Sequence, residues 1–283
     1  NNAVYNIVQD DHGLLYIGTL DGLNIWDGHR MERFQAADGR SYFEGNKIKH
    51  LYQTAPNRIY ALTRHGLAKI DTQTKDVVFI DNFDPESVID IDSNGNIFAI
   101  TGDNSLQFYN TSSDNMAVIE GFRLDKSDYC YRIVISDTGV LHIFSQKGTW
   151  RITLTQSADR PNITNVENLE RKHLYVSQPH CGNPVYTITE DFKIATFDPL
   201  SGSFTDICSF TPPVGYDYSR IKGVAKAPKG YWINFWEQLF FLPEGSTNLE
   251  PTEITYHSFT IVHDRFQPIL WIGTDSKGLI GWN

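Results

Sequence analysis

The chain repeats one pattern of short hydrophobic runs seven times. The first copy reads Val4-Tyr5-Asn6-Ile7-Val8-Gln9-Asp10, turns at Asp11-His12-Gly13, and continues Leu15-Tyr16-Ile17-Gly18-Thr19. After a turn at Leu20-Asp21 it ends Gly22-Leu23-Asn24-Ile25-Trp26-Asp27. The last copy matches it: Phe259-Thr260-Ile261-Val262-His263-Asp264, then Leu270-Trp271-Ile272-Gly273-Thr274, then Gly278-Leu279-Ile280-Gly281-Trp282-Asn283. The second run of each copy centres on Tyr16, Tyr60, Phe98, His142, Tyr186, Trp232 and Trp271, spaced 44, 38, 44, 44, 46 and 39 residues apart. That is the length of a four-stranded propeller blade and too long for a leucine-rich repeat.

Each copy reads as four strands, A to D. Strand A alternates apolar and polar residues, strand B is more continuously apolar, and strand D is short. A Thr or Ser follows the centre of strand B at Thr19, Thr63, Thr101, Ser145, Thr189 and Thr274; the sixth copy has Phe235 instead. Glycines at Gly22, Gly66, Gly148 and Gly278 close the next turn. No helical period of useful length occurs. The pattern predicts an all-β, seven-bladed β-propeller with four-stranded antiparallel blades. Its blades start near 4, 48, 87, 130, 173, 221 and 258, within one domain spanning 1–283. Copy seven stops after strand C, so the last blade is expected to be incomplete and the chain to be an excerpt of a larger multidomain protein. The bare edge of that strand C is expected to favour aggregation.

Composition narrows the function classes. Forty per cent apolar and 13% aromatic residues suit packed sheets and exclude disorder. A net charge of −10 argues against a phosphate-binding surface, so no nucleic-acid contact is expected. No apolar run is long enough to cross a membrane as a helix. Cys130, Cys181 and Cys208 lack metal-site spacing; buried thiols, or one disulfide and a free thiol, both fit. His142, in the middle of strand B, reads as a packed and hydrogen-bonded core histidine. Asp10-Asp11-His12-Gly13 and Asp92-Ser93-Asn94-Gly95 read as tight turns in preference to calcium loops. Asn110-Thr111-Ser112 and Asn162-Ile163-Thr164 match the glycosylation acceptor pattern, which chance also supplies. No metal or cofactor is expected, and melting should be unchanged by EDTA.

No catalytic motif stands in its required context. An enzymatic propeller would need ionisable residues at the starts of the A strands to converge; Lys47, Glu86, Arg132 and His257 are the candidates. Binding is the alternative. In an up-and-down meander the B–C turns and D–A links open on one face. That face collects aromatic and charged residues, and Trp236, Glu237, Tyr218, Arg220, His173 and Tyr129 are the candidate ligand or partner residues. Trp236 leads, because it begins the B–C turn of the copy that breaks the Thr rule. A flat indole there suits a sugar ring, with Arg220, Tyr218 and Glu237 bonding hydroxyls, and it suits equally a protein contact with a neighbouring propeller or across a dimer.

The stretches Val4 to Asp27 and Leu270 to Thr274 resemble the two-component regulator propeller repeat. Copies one and seven carry the resemblance most strongly. It implies the periplasmic sensor region of a hybrid two-component histidine kinase from a glycan-degrading gut bacterium, with no enzymatic activity in the propeller itself. In that family two propellers precede an immunoglobulin-like domain, a membrane helix and a kinase. The resemblance therefore implies an oligosaccharide ligand, those neighbouring domains as partners, a homodimer in the intact sensor, and membrane attachment only through downstream segments. A propeller enzyme acting on a polysaccharide and a protein-binding scaffold are the alternatives.

Overall fold

The computed structural model describes residues 3–80, 83–155, 157, 160–179 and 184–283. Seven antiparallel sheets follow one another in chain order as the blades of a β-propeller. Blade one is β1 (Val4–Gln9), β2 (Leu15–Thr19), β3 (Gly22–Trp26) and β4 (Met31–Arg33). Blade two is β5 (Ile48–Ala55), β6 (Arg58–Thr63), β7 (Gly66–Asp71) and β8 (Val77–Ile80). Blade three is β9 (Val88–Ile91), β10 (Ile97–Ile100), β11 (Ser105–Asn110) and β12 (Asn115–Arg123). Blade four is β13 (Cys130–Ile135), β14 (Val140–Ser145), β15 (Gly148–Leu154) and β16 (Ile163–Asn168). Blade five is β17 (His173–Val176), β18 (Val185–Thr189), β19 (Lys193–Asp198) and β20 (Ser203–Ser209). Blade six is β21 (Ile221–Ala227), β22 (Gly230–Phe235), β23 (Leu239–Pro243) and β24 (Glu250–Pro251). Blade seven has three strands, β25 (Ser258–His263), β26 (Leu270–Thr274) and β27 (Leu279–Trp282). The described residues contain no α-helix, and a single 3-10 turn covers Tyr218–Arg220.

Contacts divide the chain into two compact units, Asn1–Pro85 with Cys208–Asn283, and Glu86–Ile207. In the first, blade one packs between blades seven and two, and the repeat motif explains the seams. A Cβ on Gly18 would stand 2.8 Å from Ile48 Cγ2, and one on Gly273 would stand 2.8 Å from the Val4 carbonyl oxygen. The Ile-Gly-Thr glycine therefore lets the next blade's inner strand approach. The threonine closes the B–C turn: Thr19 Oγ1 donates to the Gly22 carbonyl at 2.8 Å, Thr63 to Gly66 at 3.0 Å and Thr274 to Gly278 at 2.8 Å. The tryptophan of Leu-Trp-Ile-Gly-Thr also has a task. Trp271 Nε1 donates to Asp264 at 2.7 Å, and Gln9 Nε2 reaches the same carboxylate at 2.9 Å, joining blades seven and one. The Asp10 carboxylate accepts the His12 and Leu14 amides, so its loop is a side-chain-capped turn.

The second unit buries Asp90, Asp128, Cys130, His142 and His173. Its core runs through Phe98, Leu106, Phe108, Ile133, Leu141, Ile143 and Ile152. A further cluster gathers Val134, Phe144, Val176, Val185 and Phe197. His142 is fully buried, edge-on to Phe197 at 4.8 Å. The expected packing holds, but the expected hydrogen bond does not. Among the described residues both ring nitrogens are without a partner, and the Nε2 edge lies over Gly202, where a Cβ would stand 2.6 Å away. Burial and the nearby Arg151 charge lower its pKa to about 4. Cys130 is a buried free thiol whose pKa desolvation pushes up to about 12, and Cys208 is also free. Cys181 lies outside the described residues.

Candidate functional site

Six of the seven inner strands break register at their second residue. The breaks fall between Val4 and Asn6, Ile48 and His50, Cys130 and Arg132, His173 and Tyr175, Ile221 and Gly223, and Ser258 and Thr260. Each is a β-bulge. The extra residue leaves the ladder, bends the strand and re-aims its own side chain. The residues so displaced are Tyr5, Lys49, Tyr131, Leu174, Lys222 and Phe259. Blade three, with an unbroken Val88-to-Ile91 ladder, lacks the bulge.

Four of these residues meet at one place. Lys222, Phe259, Tyr5 and Lys49, from blades six, seven, one and two, line a cavity of about 420 Å³ together with His50, Arg220 and Trp236. Ligand pockets of small molecules start at about 300 Å³. One wall is a run of rings: Tyr5 and Phe259 at 4.4 Å, Phe259 and Trp236 edge to face at 4.7 Å, and Trp236 stacked on His257 at 5.1 Å. Lys47 lies 4.2 Å above the Tyr5 ring. Among the described residues the lining contains no Asp or Glu.

Trp236 is held there by its own backbone. Its amide donates to the Arg220 carbonyl and its carbonyl accepts the Ser258 amide, both at 2.9 Å. The residue that breaks the Thr rule, Phe235, is fully buried and packs against Tyr216 at 5.7 Å and Tyr218 at 6.4 Å. The bulky ring thus anchors the link before blade six, and Trp236, half-buried, is turned to the cavity. Arg220 pairs with Glu237 at 2.8 Å and with Asp217 at 3.4 Å. Lys222 has no carboxylate within ion-pair distance among the described residues. Burial, then the Arg220 charge, lower its pKa, and Asp217 only partly offsets them. Lys49 Nζ donates to the Pro85 carbonyl at 3.1 Å.

The sequence-predicted residues separate into two groups. Trp236 and Arg220 line the cavity, and Glu237 is the partner of Arg220. Tyr218 sits behind the wall, its hydroxyl donating to the Pro213 carbonyl at 3.2 Å. His173 and Tyr129 belong to other blades. His173 is buried, stacked on Phe204 at 5.0 Å, with Nδ1 3.3 Å from Thr149 Oγ1, and burial lowers its pKa to about 3. Tyr129 is exposed in the link before blade four. Among the enzyme candidates, Lys47 and His257 stand beside the cavity against Tyr5 and Trp236, whereas Arg132 donates to the Val176 carbonyl at 3.3 Å. Sequence reasoning missed Tyr5, Lys49, His50, Lys222 and Phe259. A signal for the bulges exists: buried residues at the start of strand A are spaced by three, not two. The pairs are Val4 and Ile7, Ile48 and Leu51, Cys130 and Ile133, His173 and Val176, Ile221 and Val224, and Ser258 and Ile261.

A larger cavity, about 640 Å³, lies within the second unit beside the turns around Asp92 and Asn110. Its polar lining is occupied by its own loops: Asp92 accepts the Asn96 amide, and Asn110 accepts those of Ser112 and Ser113.

No protein-family model and no curated protein matches the sequence. Solved structures do match over nearly the whole chain, and they define a β-propeller. The extracellular domain of BT4673 from B. thetaiotaomicron, described as a hybrid two-component system, superposes with a TM-score of 0.66 at 15% identity, over 100% of this chain and 38% of that one. The corresponding domain of BT3049 from the same organism gives 0.60 at 18%, over 99% and 39%. The β-propeller domain of Cps50 (Swd1) from Myceliophteria thermophila gives 0.67 at 14%, over 99% and 96%. The chain therefore spans about two fifths of the length of the two-component structures it resembles.

Proposed function

We propose that this propeller is the ligand-recognition module of an extracytoplasmic sensor in a two-component signalling protein, responding to an oligosaccharide. The observation that carries this reading is the cavity of blades six, seven, one and two. Four inner strands each spend a bulge on re-aiming one side chain into it. The likeness to extracellular domains of two-component systems supports the same reading. No helix among the described residues is long and apolar enough to cross a membrane. Neighbouring propeller and immunoglobulin-like domains, and a second copy of the sensor, are the expected protein partners. The lining offers cations and rings, which suit binding, and the reading is of a module that binds without turnover.

Calorimetric titration with oligosaccharides, run beside a turnover assay on the same sugars, tests this. Binding without product is expected. Trp236→Ala should weaken binding at least about tenfold, or about 1.4 kcal/mol. Its melting temperature should fall by only a few degrees, since the indole is half-buried and its backbone bonds survive. Unfolding of the variant at ambient temperature would make Trp236 a core residue and remove the site.

A further inference from the structure

We propose that the cavity takes an acidic saccharide: a sugar ring that carries a carboxylate or a sulfate, with the ring against the aromatic wall and the anion on Lys222 and Lys49. This rests on the sensor reading and adds the ligand's charge.

The charge of the site runs against that of the protein. The chain has 34 Asp and Glu against 24 Lys and Arg, yet among the described residues the charged groups lining the cavity are Lys49, Arg220 and Lys222, with His50 beside them. Arg220 is already neutralised by Glu237 and Asp217. The Lys222 ammonium is not, although it is half-buried beside that guanidinium. A half-buried cation that a distant carboxylate only partly compensates raises the free energy of the empty state, and an incoming anion relieves it. Lys222 sits there because its strand bulges, and a plain alternating strand would place it in register.

The rings set the rest of the ligand. In blade order the displaced residues are Lys222, Phe259, Tyr5 and Lys49, so two aromatic faces lie between two lysines. Phosphate or sulfate alone would leave those rings uncovered. A pyranose with an acidic substituent covers a ring through its C–H face while its anion meets an ammonium. Size favours such a ligand over a folded partner. Protein interfaces spread over about 800 Å² per side, whereas an open cavity of about 420 Å³ has room for one or two rings.

The test is calorimetry on the whole chain with matched pairs: digalacturonate against its methyl ester, and a sulfated disaccharide against the unsulfated one. Sodium sulfate serves as the bare anion. The acidic member of at least one pair should bind at least tenfold tighter than its neutral counterpart and tighter than sulfate. Lys222→Met should remove most of that preference while circular dichroism stays as in the wild type and melting does not fall, since the variant loses an uncompensated cation, and Lys49→Met should shift binding in the same direction. Raising salt from about 0.05 M to about 0.5 M should weaken the acidic ligand and leave neutral ones unchanged. Neutral and acidic members binding equally, with both lost in Trp236→Ala, would overturn the acidic inference and leave the sensor reading standing. No binding of any saccharide would overturn both. So would self-association of the chain that Trp236→Ala abolishes, since the cavity would then be a protein contact.

Discussion

Asp90→Asn should stabilise the protein at neutral pH by roughly 4 kcal/mol. Asp90 sits in the middle of β9, where the corresponding residues of other blades are Val8, Tyr52, Val134 and Val262. It is 6% exposed, and its carboxyl accepts the Ile135 amide of blade four at 2.9 Å. Desolvation raises its pKa from 3.8 to about 7, against the lowering effect of that amide, of the Ile91 amide and of Arg132. A carboxyl whose folded pKa is raised contributes stability that is fully present below the unfolded value and lost as pH rises through the folded one. The window is therefore about pH 4 to 7. Three pH units at about 1.4 kcal/mol each give the size. Asn keeps an oxygen for Ile135 and does not ionise. Urea unfolding at a series of pH values should show the variant's advantage growing across this window and levelling above it. An advantage that stays constant with pH would mean that Asp90 is ionised in the folded protein.

The wild type should not show this slope in isolation, because two histidines oppose it. His142 and His173 have folded pKa values lowered from 6.5 to about 4 and about 3. A buried neutral histidine contributes stability present above its unfolded pKa and lost as pH falls. Between about pH 4 and 6.5 the two histidines outweigh the one aspartate, so wild-type stability rises with pH. It then declines slightly to about pH 7 as Asp90 ionises. Asp90→Asn steepens the rise and removes the decline, and the difference curve isolates the aspartate's share across about pH 4 to 7.

The repeat made the fold legible. Strand B announces itself by its apolar run, and the Ile-Gly-Thr motif marks both the seam glycine and the turn hydroxyl. Blade starts follow within a residue, since Val88 begins β9. The site was only partly legible, for two physical reasons. A bulge is a one-residue slip in strand A, and an alternation test passes over it unless buried residues are counted by threes. Convergence is the second. Lys49 and Lys222 lie in blades two and six, and nothing local in either strand records that they face one cavity. Trp236 was legible because its neighbour Phe235 broke a rule kept by the six other blades. His173 was chosen as a polar residue at a link, but it is the first residue of β17. That position is buried in every bulged blade, as Val4, Ile48 and Ser258 show.

The glycine of the B–C turn carries the other large effect. Gly22 has φ +116°, and a Cβ on it would stand 2.5 Å from the Phe43 carbonyl oxygen. Phe43 is buried in the link to blade two, edge-on to Phe34 at 5.8 Å, and cannot withdraw without opening that core. Gly22→Ala therefore combines backbone strain of about 1–3 kcal/mol with an overpacking cost of similar size. A total on the order of 4 kcal/mol corresponds to a melting decrease of about 10 °C for a domain of this size. Two further glycines separate the causes. Gly66, the same turn in blade two, has φ +129° and a nearest atom at 3.1 Å, the Ile80 carbonyl oxygen. Gly28 has φ +95° with nothing within 4 Å. If both terms act, thermal melting of the three alanine variants should rank Gly22 as the most damaging, Gly66 next and Gly28 least. Equal losses at all three would show that positive φ alone sets the cost. The seam between the Gly22 turn and the link to blade two would then be loose enough to accept a methyl group, contrary to the packing described for Phe43.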